Sequence, residues 1–210
     1  MTRILKTAGF SAMALLVLLT ACSKKKTTQP ESAKYKWTVL GYFDGNNYRD
    51  QAHDGYSYVI KDVQELEQTG STDQVQVVVM VGSIKTDGKC KYYHIEKHES
   101  EAQDSISSPV LQNLGKKDMS DYTTLRDFVG YGVQNYPADR YMLIIGDHGN
   151  GWRGTCSDSI NGGGSWMSLP DLESALLGYK FDILWLYSPT MATAEVAHQV
   201  REQSDYLVAS

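Results

Sequence analysis

Residues 141–152 read YMLIIGDHGNGW. The first half, Tyr141–Ile145, is an apolar run too short for a helix of its own. Pro137 bounds it on one side and glycines on the other, so the pattern predicts a buried strand. The second half, Gly146–Trp152, predicts a tight loop at the C-terminal end of that strand. In open α/β sheets, ligands bind in the crevice at that edge. His148, held between small residues, can present a ring nitrogen to a substrate while the glycines let a substrate backbone come close. An isolated Asp-His-Gly is more often a plain turn with a solvated His, so the rest of the chain has to decide.

Outward from this stretch, strand and helix patterns alternate. On the N-terminal side, Trp37–Phe43 predicts a strand and Asp44–Asn47 (DGNN) a turn. The oxygens of that turn are also candidate Ca²⁺ ligands, although the full EF-hand spacing is absent. Tyr56, Val59, Ile60, Val63 and Leu66 recur at helical spacing, which predicts an amphipathic helix ending near Gly70. Val75–Val81 (VQVVVMV) is nearly continuous in apolar residues, as expected of a central parallel strand. Lys91–Lys97 alternates and predicts a strand with one wet face. His94 and His98 on it would lie roughly 13 Å apart, too far to share an ion, and are expected at the surface. Residues 99–118 are polar and irregular, an expected surface excursion. Ser120 opens a helix whose stripe is Tyr122, Leu125, Phe128, Val129 and Val133, closed by Pro137.

Beyond the His loop, residues 157–166 contain Gly162–Gly164 and predict a flexible segment. No Lys-Ser/Thr follows, so it is no phosphate loop. Ser168–Asp171 (SLPD) opens a helix that ends at Gly178. Phe181–Leu186 predicts a strand, Met191–Gln203 a helix and Asp205–Ser210 another strand. Such alternation predicts a parallel sheet covered by helices on both faces, in one domain without repeats.

The N-terminus follows other rules. Arg3 and Lys6 form a basic n-region, and Ala12–Leu19 an apolar core too short for a permanent span. Leu19–Cys22 (LTAC) resembles a bacterial lipoprotein signal. Residues 1–21 are then expected to be a signal peptide, with Cys22 as the lipid-bearing N-terminus. Ser23 after the cysteine resembles an outer-membrane sorting pattern. The expected location is the bacterial cell envelope, anchored to the membrane and facing the periplasm or the surface. Residues 22–35 are expected to form a flexible polar tether. The chain carries a net charge of −5, and loss of Arg3 and Lys6 takes it to −7. So acidic a body argues against nucleic acid as partner. Cys90 and Cys156 could pair outside the cytoplasm, but sequence alone cannot bring them within bonding distance.

Three separated segments, in matching order, resemble the clostripain-like cysteine peptidases. This is the C11 family, related to caspases, gingipains and legumains. Pro137–Trp152 resembles its histidine segment, Trp37–Asn47 its opening strand and Asp/Asn-rich loop, and Phe181–Ala197 the strand and helix around its nucleophile. The resemblance implies a caspase-like three-layer α/β sandwich with a mostly parallel central sheet, spanning residues 36–210. Family members continue past the match to residues 207–210, so the domain is expected to be C-terminally incomplete. Calcium dependence, known in the family, adds to the interest of the Asp44–Asn47 turn. Self-cleavage at a basic residue between the two site segments has nothing to use within residues 155–179, which contain no Lys or Arg.

By the same resemblance, His148 is the catalytic His, and Gly149 contributes an oxyanion N–H. The family's nucleophile segment, Asp-Ala-Cys-Leu-Met, falls on Tyr187–Met191. Matches on both sides fix the register, so the nucleophile position is Pro189 and the family's pocket Asp is Tyr187. Proline has neither thiol nor backbone N–H. Ser188 is adjacent but is expected to point elsewhere from a strand end. Two readings follow. One is a lipid-anchored cysteine peptidase that is inactive as written. The other is a pseudopeptidase that binds a peptide or partner protein in the old cleft. A purely structural envelope lipoprotein is a third.

Overall fold

The computed structural model describes residues 35–48, 50, 55–99 and 105–210. The signal peptide, Cys22 and all but the last residue of the expected tether lie outside the described residues.

A seven-stranded sheet forms the centre. Its first strand, β1 (Tyr35–Gly45), starts earlier than the sequence pattern suggested and takes in Tyr35 from the expected tether. Helix α1 (Tyr58–Glu67) leads to β2 (Val75–Ser83), which lies parallel to β1. Then come β3 (Lys89–His94) and β4 (Val110–Lys116), both antiparallel to their neighbours. Helix α2 (Tyr122–Asn135) returns the chain to β5 (Ala138–Gly146), parallel to β1 on its other side. A small hairpin of β6 (Thr155–Asp158) and β7 (Ser165–Met167) follows. Helix α3 (Leu169–Leu176), β8 (Phe181–Tyr187), α4 (Ala194–Gln199) and β9 (Ser204–Ala209) complete the sheet, whose order is β4-β3-β2-β1-β5-β8-β9. The chain runs to one side of β1 through β2, β3 and β4, and α2 then carries it back to β5 on the other side. This is a topological switch point, and the C-terminal ends of β1, β5 and β8 open there.

Strand alternation sorts the core. Leu40, Tyr42, Val78, Met80, Leu143, Ile145, Leu184 and Leu186 face α2, α3 and α4, where Leu125, Phe128, Leu172 and Val196 meet them. Phe43, Val77, Val79, Val81 and Ile144 face the other way, onto Val59 and Val63 of α1. The result is a three-layer sandwich. On the α1 side, the β8 end stays open: Trp185 is only partly buried and Tyr187 is 47% exposed.

The helices start where side chains satisfy their first amides. Ser57, Asp121, Ser168 and Thr193 accept from N–H groups of α1, α2, α3 and α4 respectively. At the other end of α3, the Arg126 guanidinium donates to the carbonyls of Ser174, Ala175 and Leu177.

Several sequence expectations are corrected. The polar stretch expected to be irregular supplies β4, an edge strand whose exposed residues hide its pattern. Strand β3 is wet only at its start: Lys89 is exposed and Lys91 half-buried, but Tyr92 packs under α2 and Tyr93 on the α1 side. His94 is half-buried, bonded to Gln76 Oε1 and stacked on Tyr136; His98 is half-buried as well, so neither is a plain surface residue. The glycine-rich segment at 162–164 joins two paired strands, and Gly163 and Gly164 adopt φ of 63° and 86° in the connection. The helix expected from Met191 is shorter, beginning only at Ala194. Asp121 rather than Ser120 caps α2. Cys90 and Cys156 are both free buried thiols, not a disulfide.

Candidate active site

The switch point holds a cavity of about 620 Å³. The end of β1 contributes Asp44 and Asn47, the end of β5 Gly146–His148, and β8 Trp185–Pro189, while α1 closes one side with Tyr58, Val59 and Asp62. Sequence positions 148 and 189 therefore share one cavity. Strand pairing explains why: Gly146 lies opposite Tyr187 in register, so the residues just beyond each are neighbours.

Gly149 lies directly on the Pro189 backbone. A Cβ on Gly149 would sit 2.0 Å from the Pro189 carbonyl oxygen, so no side chain fits. Thr190, next to Pro189, holds φ at 65°, a left-handed conformation costly for a β-branched residue. Ser188, by contrast, is turned into the protein. It is 3% exposed, and its hydroxyl lies 3.2 Å from Thr155 Oγ1 and donates weakly to the Ile145 carbonyl. The expectation that it points away from the reacting position agrees with this packing.

His148 is held from the β1 side. Asn47 Nδ2 donates to Asp147 Oδ1 at 2.9 Å, and Asn47 Oδ1 faces His148 Nε2 at 3.2 Å. Asn47 thus bridges the Asp147 carboxyl and the His148 imidazole. Asp147 Oδ1 lies 3.9 Å from the same Nε2. Thr155 Oγ1 donates to the His148 carbonyl and fixes the loop from below.

The carboxylates of the cavity are unusual. Burial pushes Asp147 up to about 7, against hydrogen bonds from Ser157 N, His148 N and Asn47. Burial raises Asp44 well above its ordinary value, and the Asp147 charge adds to it. Asp62 is pushed up to about 6, mainly by burial and then by Glu65 and Asp50. Across the cavity, the Asp62 charge is the leading influence that raises the Tyr187 hydroxyl. Asp50 accepts from Ser57 Oγ, Ser83 Oγ and Val59 N, which ties the start of α1 to the end of β2.

Sequence reasoning missed Tyr58, Asp62 and Trp185 as cavity residues, because the helix-to-strand packing that joins them is not local. It also missed Asp158. That carboxylate accepts from Asn46 Nδ2, Met119 N, Ile160 N, Asn161 N and Gly162 N, and so fastens the β1 loop to the hairpin. Its only sequence signal is an Asp ahead of a glycine run.

In the Asp44–Asn47 turn, Asp44 Oδ1 accepts from Asn46 N, Asn46 Nδ2 donates to Asp158 and Asn47 Oδ1 faces His148, while Asp44 Oδ2 and Asn46 Oδ1 are buried without a hydrogen-bond partner.

The sequence profile described as the clostripain family, Peptidase_C11, matches residues 42–210. The chain belongs to the clostripain family. It is 25% identical to clostripain of Hathewaya histolytica, over 83% of this chain and 39% of that protein. The fold is similar to a secreted C11 cysteine protease of Bacteroides thetaiotaomicron solved with an irreversible peptide inhibitor. That comparison gives a TM-score of 0.66 at 22% identity, over 82% of this chain and 48% of that one. It is also similar to an inactive zymogen C11 protease of Parabacteroides distasonis, with a TM-score of 0.65 at 26% identity, over 84% and 49%. The chain thus spans about two fifths to half the length of these clostripain-family relatives. The expected fold, a caspase-like sandwich with a mostly parallel sheet, is the one observed.

Proposed function

We propose that this chain is a clostripain-family cysteine peptidase domain without peptidase activity, held at the bacterial envelope by a lipid on Cys22. In this reading the cleft binds a peptide or a partner protein. The observation that carries it is Pro189 at the nucleophile position, seated against Gly149 at the mouth of the His148 cavity. Acyl transfer by this family's chemistry needs a thiolate, a His to move protons and N–H groups around the oxyanion. His148 and the Gly149 N–H supply parts of that set. Pro189 supplies no thiol and no N–H, and Ser188, the nearest hydroxyl, is buried in its own hydrogen bonds. Tyr187, where the family carries a pocket Asp, leaves the cleft with an aromatic wall instead.

The retained cavity supports a binding role. It is concave, aromatic on one side and lined by Asp44, Asp50, Asp62 and Asp147. Among the described residues no Lys or Arg lines it, so a basic peptide segment is the complementary ligand. The anchor rests on the N-terminal sequence: basic n-region, short apolar core, and LTAC before Ser23.

Purified chain is expected to give no turnover of Arg or Lys peptide substrates and no covalent adduct with a thiol-reactive peptide probe, while retaining measurable binding of the peptides. Turnover that vanishes in His148→Ala would overturn the non-catalytic reading. In cells, a fatty-acid analogue is expected to label the protein and Cys22→Ala to abolish the label; labelling that survives the substitution would refute the anchor.

A further inference from the structure

Below the cleft lies a group of side chains that the peptidase reading does not use. One ligand atom each from Asp44, Asp147 and Cys156 falls within 4.8 Å of the others. Asp44 is 1% exposed and Cys156 fully buried, and the Asp147 side chain is 2% exposed. Three features set this group apart from a chance gathering of acids. Asp44 Oδ2 is buried and has no hydrogen-bond partner. A buried carboxylate oxygen is costly to leave alone. No Lys or Arg forms an ion pair with either carboxylate among the described residues; the nearby charges acting on Asp44 are Asp147, Asp158 and Asp118, all of one sign. The backbone also delivers the thiol. The β6–β7 pairing breaks register between Thr155 and Ser157, and Cys156 holds φ at 52° in that break. A bulge of this kind re-aims a side chain, here away from the ladder and into the interior. The amide of the next residue, Ser157, donates to Asp147 Oδ2, so the hairpin and the His loop are locked together at this point.

We propose that Asp44, Asp147 and Cys156 bind a single divalent cation of the zinc class. Two carboxylates and a thiol form an O₂S donor set. Zinc accepts this set in tetrahedral geometry, with thiolate at about 2.3 Å and carboxylate at about 2.0–2.2 Å. Calcium, which requires many hard oxygens, does not suit it. On binding, the ion takes Asp44 and Asp147 as carboxylates and Cys156 as thiolate, and any protons they held pass to solvent. Asp44 and Asp147 both line the cavity, so the ion forms part of its floor. Three protein ligands leave the fourth position to water or to a carboxylate of whatever occupies the cleft. The site neither requires peptide binding nor restores the missing nucleophile, so it stands or falls apart from the proposed function.

The test uses the purified chain, stripped with a chelator and titrated with Co²⁺ alone and then Zn²⁺ alone. The expected result is one equivalent of Co²⁺ with a near-ultraviolet thiolate charge-transfer band, displaced stoichiometrically by Zn²⁺ and not by Ca²⁺. Cys156→Ser is expected to remove the band, and Asp44→Asn to weaken Zn²⁺ at least tenfold. Cys90→Ser and Cys22→Ala leave both unchanged. Since Cys156 is buried, a second measurement guards against a variant that fails to fold: Zn²⁺ should raise the unfolding midpoint of the unmodified chain, and Ca²⁺ should not. Absence of the band in the unmodified chain, a band that persists in folded Cys156→Ser, or a preference for Ca²⁺ would each overturn the site.

Discussion

The C-terminal ends of β5 and β8 lie side by side in the sheet and are built alike up to their last residues. Each is a short apolar run, each buries alternate residues under α2, α3 and α4, and each ends at the same cavity. Beyond the last residue they part. The β5 end keeps a complete arrangement: Asn47 between Asp147 and His148, Thr155 beneath, and Gly149 with no room for a side chain. The β8 end has Tyr187, a buried Ser188, Pro189 and a strained Thr190. Apolar burial and ladder hydrogen bonds hold both strands, and neither depends on what the next three residues are. The residues beyond either strand can therefore change while the frame that holds the two ends together stays intact.

The sharpest way to break this comparison is to rebuild the β8 end. Pro189→Cys restores the thiol and the N–H together. It is expected to raise peptide turnover from nothing measurable to a weak level, and Tyr187→Asp added to it to raise it further. Nucleophile and oxyanion donors together account for several orders of magnitude in rate. The readout is kcat/KM on Arg peptides, with His148→Ala on the rebuilt chain returning it to baseline. A rebuilt chain that stays inert would show that the β5 end is not competent either.

A second effect belongs to the β5 side. Asp147 titrates near 7 in the folded chain because it is buried, and near 3.8 when exposed. The folded state thus holds this proton more tightly than the unfolded one. Its contribution is most favourable below pH 3.8 and is lost as pH rises toward 7. Asp44 acts in the same direction. In metal-free buffer the midpoint of unfolding is expected to fall between pH 4 and 7.5, and Asp147→Asn to flatten the slope. A midpoint that rises across that range would contradict it.

Gly149→Ala places a methyl group where the Pro189 carbonyl already sits. Overpacking between two backbone segments is expected to cost about 3 kcal/mol, measurable by urea unfolding. The same change at the exposed Gly163, where nothing lies within 4 Å, meets only its φ of 63° and should cost about 1 kcal/mol. Equal costs would mean that the two strand ends are not in contact. Comparably small, Ser188→Ala removes a hydroxyl bonded to Thr155 and is expected to cost about 1 kcal/mol. The same urea unfolding reads it.

Much of this was legible in the sequence, for reasons tied to locality. Continuous apolar runs such as Val75–Val81 and Tyr141–Ile145 can only be buried strands between covering layers, and both are. Capping residues such as Ser168 announced α3. The fixed spacing around Phe181–Ala197 placed Pro189 at the strand end before any coordinates did. What the sequence by itself determined was therefore the alternation of elements and the family they build. The tertiary structure alone decided the rest. It showed that β4, which sets Leu111 and Leu114 against the core among exposed polar residues, pairs at the sheet edge. It placed Tyr58 and Asp62 of α1 across the cavity from Trp185 and Tyr187, more than a hundred residues away in the chain. It also brought Cys156, which as a lone buried thiol suggests nothing, beside two carboxylates. Those meetings follow from how the helices and the hairpin pack on the sheet, and no local pattern in the chain encodes them.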